Sequence, residues 1–78
     1  MKAMQINTTY NMNALAAARL LPDESVDCIV TSPPYYRLRD YGVADQIGLE
    51  ETPEAFIDQL VAVFRQLRRA LKPQGTLW

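Results

Sequence analysis

Strands and helices alternate along this chain, and that alternation predicts an α/β fold with parallel strands and right-handed crossovers. Three observations carry the prediction. Val26-Asp27-Cys28-Ile29-Val30-Thr31 runs apolar from Cys28 to Val30 without alternation, the pattern of a central strand buried on both faces of a parallel sheet. Phe56, Leu60, Phe64, Leu67 and Leu71 recur at 3- and 4-residue spacing, widened by Ile57, Val61 and Val63, which marks the apolar face of a helix. Thr76-Leu77-Trp78 follows that helix as the start of another apolar strand.

The elements follow in order. Gln5 to Tyr10 holds Ile6, Thr8, Thr9 and Tyr10 and predicts a first strand. Asn11 or Asn13 is placed to cap the next helix, Ala14 to Leu21, which is rich in alanine and leucine. Pro22 stops it, and Pro22-Asp23-Glu24-Ser25 forms a turn. The strand Val26 to Thr31 ends at Ser32, because Pro33 and Pro34 cannot donate to a ladder. Tyr35 to Glu51 is a polar loop with Gly42 and Gly48. Loops longer than about 12 to 15 residues in compact domains usually serve function or move.

The second helix runs from Pro53 to about Leu71, with Thr52 as N-cap and Pro53 at its first position. Glu50, Glu51 and Glu54 precede or open it, and Arg65, Arg68, Arg69 and Lys72 close it, complementing the helix dipole. Pro73 and Gly75 end it. The order is β-α-β-loop-α-β. The last strand has about three residues where five or six are usual, so the chain reads as the front piece of a larger α/β domain.

Composition narrows the function. The 78 residues, 49% hydrophobic and 22% charged, suit one small globular domain rather than disorder. A net charge of −1 rules out binding nucleic acid as a polycation. One cysteine and no histidine exclude an internal disulfide, a Cys/His zinc site and the His-dependent catalytic triads. No metal partner is expected. No apolar run approaches the ~20 residues that span a bilayer, and Met1 to Asn7 lack a secretory signal. A cytoplasmic protein with no membrane partner is the expectation. Cys28 reads as a small core residue.

The residues that carry chemistry are Thr31-Ser32-Pro33-Pro34-Tyr35-Tyr36, directly after the predicted central strand. Ligands of open parallel sheets bind beyond the carboxyl ends of the strands. Consecutive prolines hold φ near −65° and make a stiff turn. That turn presents the Ser32 hydroxyl, the Pro33 carbonyl and the Tyr35 ring with little freedom left to lose.

At these residues the sequence resembles the DNA amino-methyltransferases, which methylate adenine N6 or cytosine N4. Their signature is Asp, Asn or Ser, then Pro-Pro, then an aromatic residue after a hydrophobic strand; here it is Ser32-Pro33-Pro34-Tyr35. The flanks match as an ordered set: Leu21 to Asp27 before the strand, Leu38-Arg39-Asp40-Tyr41-Gly42 and Gln46-Ile47-Gly48-Leu49-Glu50 after it, then Arg69 to Trp78. The resemblance covers residues 13 to 78 and implies a partial Rossmann-like S-adenosylmethionine-dependent methyltransferase fold. It also implies DNA as partner and S-adenosylmethionine as methyl donor.

In that family the exocyclic amine is the nucleophile, and its lone pair attacks the donor methyl in line with the sulfonium. By resemblance, Ser32 and the Pro33 carbonyl accept the amine hydrogens and localise that lone pair. Tyr35 stacks on the base and Pro34 helps hold it. The base must first be flipped out of the duplex. Serine at position 32 leans toward cytosine N4 over adenine N6. Arg37 and Arg39 are candidates for DNA phosphates, solvated arginines being the alternative. Asn13 stands where relatives often carry an aspartate near the cofactor, although helix capping also accounts for it. Cys28 lacks the Pro-Cys setting of enzymes that methylate cytosine C5.

The family's glycine-containing cofactor loop has no counterpart, since Gly42, Gly48 and Gly75 are scattered. In a permuted class of the family the catalytic motif comes first. The expectation is therefore an N-terminal part of such a catalytic domain over residues 1–78. Its target-base motif lies at 31–36, and the cofactor loop and target-recognition region lie outside the chain. Self-association through an unpaired sheet edge or the uncovered helix stripe is expected of such a piece. The competing readings are a non-catalytic remnant and a small Pro-Pro-x-Tyr binding module, Pro33-Pro34-Tyr35-Tyr36.

Overall fold

A computed structural model describes residues 4–38, 40–42, 44 and 46–78. Its elements are α1 (Ala14–Arg19), β1 (Val26–Ile29), α2 (Pro53–Ala70) and β2 (Leu71–Leu77). β1 and β2 pair in parallel as a two-stranded sheet, joined by the long loop and α2. This is an α/β unit of the expected kind, with α1 packed on α2.

Local chemistry explains most of the element boundaries. The Asn13 side chain accepts from the amides of Leu15 and Ala16, at 3.0 and 3.2 Å, and so caps α1. α1 ends at Arg19 rather than Leu21, because Leu20 and Leu21 tighten into three-residue bonds to Ala17 and Ala18 before Pro22. Thr52 Oγ1 accepts from the Ala55 amide at 3.1 Å, and Pro53 opens α2 as expected. α2 ends one residue earlier than predicted, at Ala70.

Three expectations are corrected. The strand at Gln5–Tyr10 does not form. Asn7 takes φ +55°, the Thr8 hydroxyl donates to the Ile6 carbonyl, and the Gln5 amide donates to the Tyr10 hydroxyl. Local hydrogen bonds thus replace the ladder that a third strand would need. β1 is not buried on both faces: Cys28 and Val30 are exposed, and Cys28 is not a core residue. They share one face by the two-residue strand period, and among the described residues nothing packs over them. β2 begins at Leu71, not Thr76, so Pro73 and Gly75 lie within it.

That early start is accommodated by an irregular register. Val26 pairs with Leu71, but Cys28 pairs with Thr76 and Ile29 with Leu77, so β2 bulges between its first and later rungs. Gly75 sits where a Cβ would come within 2.6 Å of Leu71 Cδ1 and 3.0 Å of the Asp27 carbonyl. An alanine here would have to push the Leu71 side chain aside and crowd the Asp27 carbonyl. Lys72 spans the bulge to Asp27 at 2.9 Å. Beyond the strands one further rung forms, from the Trp78 amide to Ile29 and from the Thr31 amide to Trp78.

The core is small: Ala18, Val63 and Ala70 are its buried apolar members among the described residues. At the amino end of β1 the molecule is tied by Arg69. Its guanidinium donates to Asp23 at 2.5 Å, to the Ala18 carbonyl at 3.0 Å and to Gln66 at 2.8 Å. The amides of Glu24 and Ser25 donate to the carbonyls of Arg69 and Ala70. No described helix is long and apolar enough to cross a membrane.

Candidate functional site

β1 delivers the chain to Thr31, and Ser32-Pro33-Pro34-Tyr35 then turn away from the sheet at its carboxyl end. These residues line an open depression of about 730 Å³ together with Tyr36, Leu38, Tyr41, Phe56 and Leu60. Ser32, Pro33, Pro34 and Tyr35 all line it. Tyr35 is 75% exposed, and among the described residues no hydrogen bond engages the Ser32 hydroxyl. None of the residues lining the depression carries a charge. Its polar side chains are hydroxyls, and its walls are aromatic rings, prolines and leucines. Such a surface suits a flat, neutral ring with amine hydrogens to donate.

The loop after the motif folds back to brace it. The Tyr36 hydroxyl donates to the Glu50 carbonyl at 2.9 Å, and its ring lies 5.3 Å from that of Phe56, tilted by 38°. Arg37 takes φ +54° and donates from Nε to the Tyr36 hydroxyl and from its terminal nitrogen to Glu50 O, each at 3.0 Å. Its guanidinium also sits 5.5 Å from the centre of the Tyr36 ring. The hydrogen bond to Tyr36 raises the Arg37 pKa above its ordinary value, so the side chain stays cationic.

Gly48 completes the brace. It is buried at φ +122°, its carbonyl accepts from the Arg37 amide at 2.6 Å, and its amide donates to Glu50 Oε1 at 2.8 Å. A Cβ here would meet the Tyr35 carbonyl at 3.3 Å and Pro34 Cβ at 3.6 Å. Further along the loop, Tyr41 donates its amide to Gln46 Oε1, and Gly42 donates to Asp40 Oδ1.

Arg37 thus lies beside the depression with its guanidinium committed to the loop. Arg39 lies outside the described residues. Asn13 caps α1 and does not line the depression. Sequence reasoning missed Phe56 and Leu60 as walls of the site, having read them only as core, and gave Tyr41 no role. The adjacent tyrosines also differ: Tyr36 is half-buried and bonded, whereas a Pro-Pro-x-Tyr ligand needs that tyrosine accessible in an extended segment.

The donor implied by the resemblance, S-adenosylmethionine, does not fit the described residues. None of the three glycines links a strand to a following helix. Gly42 stands in an open turn, Gly48 is pressed on the motif and Gly75 lies in the bulge of β2.

Comparison with known proteins identifies the family. A family described as DNA methylase matches residues 26–78, more than half of the chain. The chain is 51% identical over 72 residues to the type II methyltransferase M.XycI of Xanthomonas campestris pv. cyanopsidis, covering 92% of this chain and 24% of that protein. It is 52% identical over 66 residues to the type II methyltransferase M.SmaI of Serratia marcescens, covering 85% and 23%. With the DNA adenine methyltransferase YhdJ of Escherichia coli K12 the identity is 34% over 76 residues, covering 95% and 24%. The chain spans about a quarter of the length of these relatives. No solved structure matches it.

Proposed function

Because this chain belongs to the DNA methylase family, we propose that it carries the acceptor side of DNA amino-methylation, the part that receives and orients the target base. The observation that carries this reading is the uncharged depression lined by Ser32-Pro33-Pro34-Tyr35 beyond β1. Ser32 Oγ and the Pro33 carbonyl accept the two hydrogens of the exocyclic amine. Both acceptors pull the nitrogen toward a pyramidal shape and localise its lone pair. Tyr35 stacks on the base and Pro34 supports the other edge of the turn. Stacking contributes about 1–3 kcal/mol, of the order of the few kcal/mol that unstacking a base costs.

The methyl donor and the residues that read the DNA sequence belong, in this proposal, to a Rossmann-like domain extending outside the 78 residues. S-adenosylmethionine supplies the methyl group there. Serine at position 32 favours cytosine N4 as acceptor. Adenine N6 is the second reading, favoured by the relative named as a DNA adenine methyltransferase.

The test is methyl transfer from labelled S-adenosylmethionine to unmethylated DNA, by the chain and by a longer frame containing it, with product nucleosides separated. The longer frame is expected to label N4-methylcytosine, and the chain alone to label nothing. Label from the folded chain alone overturns the division between acceptor and donor sides. Ser32→Ala is expected to lower transfer about 100-fold, the scale for losing one oriented polar group at a reacting centre. Circular dichroism should be unchanged. Undiminished turnover in that variant removes Ser32 from the mechanism.

A further inference from the structure

Two tyrosines stand side by side at the mouth of the depression, and they are held in opposite ways. Tyr35 is 75% exposed, while Tyr36 is half-buried with its hydroxyl in two hydrogen bonds. We propose that Tyr36 is a positioning residue for the acceptor site: its hydroxyl latches residues 48–50 onto the back of the Pro34-Tyr35 peptide and so presets the Tyr35 ring for the base. The inference rests on the acceptor-side reading and deepens it.

The latch has three parts. The hydroxyl of Tyr36 donates to the Glu50 carbonyl and accepts from Arg37 Nε, fixing the return of the loop 14 residues on. Arg37 doubles the same link through its own bond to Glu50 O. Gly48, brought in by Glu50 and by the Arg37 amide, then packs its bare Cα against the Tyr35 carbonyl and Pro34. The prolines already fix the turn before Tyr35. The latch fixes the turn after it, so the peptide carrying the stacking ring is held from both sides. A preset ring binds without the entropy cost of ordering it at the moment of contact.

The Tyr36 ring has a separate task. It packs on Phe56 in the first turns of α2 and anchors the latch to the helix. Tyr36→Phe therefore removes the hydroxyl and keeps the ring, which separates positioning from packing.

The experiment measures binding of the chain to two short duplexes, one fully paired and one holding a fluorescent base analogue extrahelically opposite an abasic site. The parent chain is expected to prefer the extrahelical base and to quench it by stacking. Tyr35→Ala is expected to abolish that preference. Tyr36→Phe is expected to reduce it roughly three- to tenfold while leaving affinity for the paired duplex unchanged. A purely structural role for Tyr36 would weaken both duplexes alike and lower the melting temperature, and that result overturns the inference. Preference lost in Tyr35→Ala but intact in Tyr36→Phe overturns the inference and leaves the acceptor reading standing. A parent without preference, or a preference indifferent to Tyr35, overturns both. If Tyr36→Phe does not fold, Gly48→Ala loosens the same contact without changing charge, because its Cβ would meet the Tyr35 carbonyl at 3.3 Å, with the same differential reading.

Discussion

At one end of the sheet Arg69 gives its guanidinium to Asp23, Gln66 and the Ala18 carbonyl, and the neighbouring turn bonds its amides to the end of α2. At the other end the hydroxyl of Ser32 has no partner among the described residues, and the Tyr35 ring lies open to solvent. Both ends use an arginine to close a turn, since Arg37 ties the loop as Arg69 ties the Pro22–Ser25 turn. The difference lies in what is left over. The Arg69 end presents side chains already satisfied by one another, whereas the motif end holds its backbone firmly and leaves its side chains available. Availability of polar and aromatic groups on a fixed backbone is what distinguishes a binding surface from a structural joint.

Substitutions should respect that division, and the largest effect is expected at the open end. Ser32→Ala should lower methyl transfer about 100-fold while shifting unfolding free energy by less than about 0.5 kcal/mol. A loss of stability comparable to the loss of rate would erase the contrast. Next comes Gly75→Ala at the braced end. Its Cβ would collide with Leu71 and the Asp27 carbonyl, and overpacking of this kind costs about 1–3 kcal/mol. Urea denaturation should show it, and preference for an extrahelical base should survive among the molecules still folded.

Arg69→Ala should cost about 1–2 kcal/mol, the charged hydrogen bonds of Arg69 being discounted for a side chain 31% exposed. In a domain of this size that lowers the melting temperature by roughly 5 to 15 °C. Base preference should again be unaffected. A selective loss of base binding in Arg69→Ala would mean that the two ends are not independent. The smallest effect belongs to Asn13→Ala, which removes the cap of α1 and should cost about 1 kcal/mol. It tests whether Asn13 is structural: a change in donor binding by a longer frame, beyond that small loss, would restore a cofactor role.

The braced end was only partly legible in the sequence. α2 was legible almost to the residue, because its stripe repeats over many turns and Thr52-Pro53 marks its start. The strand proposed at Gln5–Tyr10 was not, because β-branched and aromatic residues favour a strand only when a neighbour supplies the ladder. The exposure of Cys28 escaped for a related reason: an apolar run describes what a strand tolerates, not what covers it. β2 was misplaced because Pro73 and Gly75 do stop the helix, yet the bulge lets the strand take them in.

At the open end the motif itself was legible, since a Pro-Pro pair after an apolar run fixes both the strand end and the turn. The brace was not. Tyr36 meets Glu50 across 14 residues of loop without periodicity, and nothing local joins Gly48 to Pro34. The faint signal was a lone glycine between Ile47 and Leu49 in a polar stretch, which often marks close approach of two backbones.

α2 passes into β2 with no intervening loop, Ala70 closing the helix and Leu71 opening the strand. Its 18 residues make a rod about 27 Å long. One end of the rod is stacked on Tyr36 through Phe56, and the other is clasped by the turn that Arg69 holds. With no hinge between helix and strand, a displacement of the last turn of α2 is carried directly into β2. In hydrogen exchange, amides of the last turn of α2 should therefore open together with those of β2, with one opening free energy.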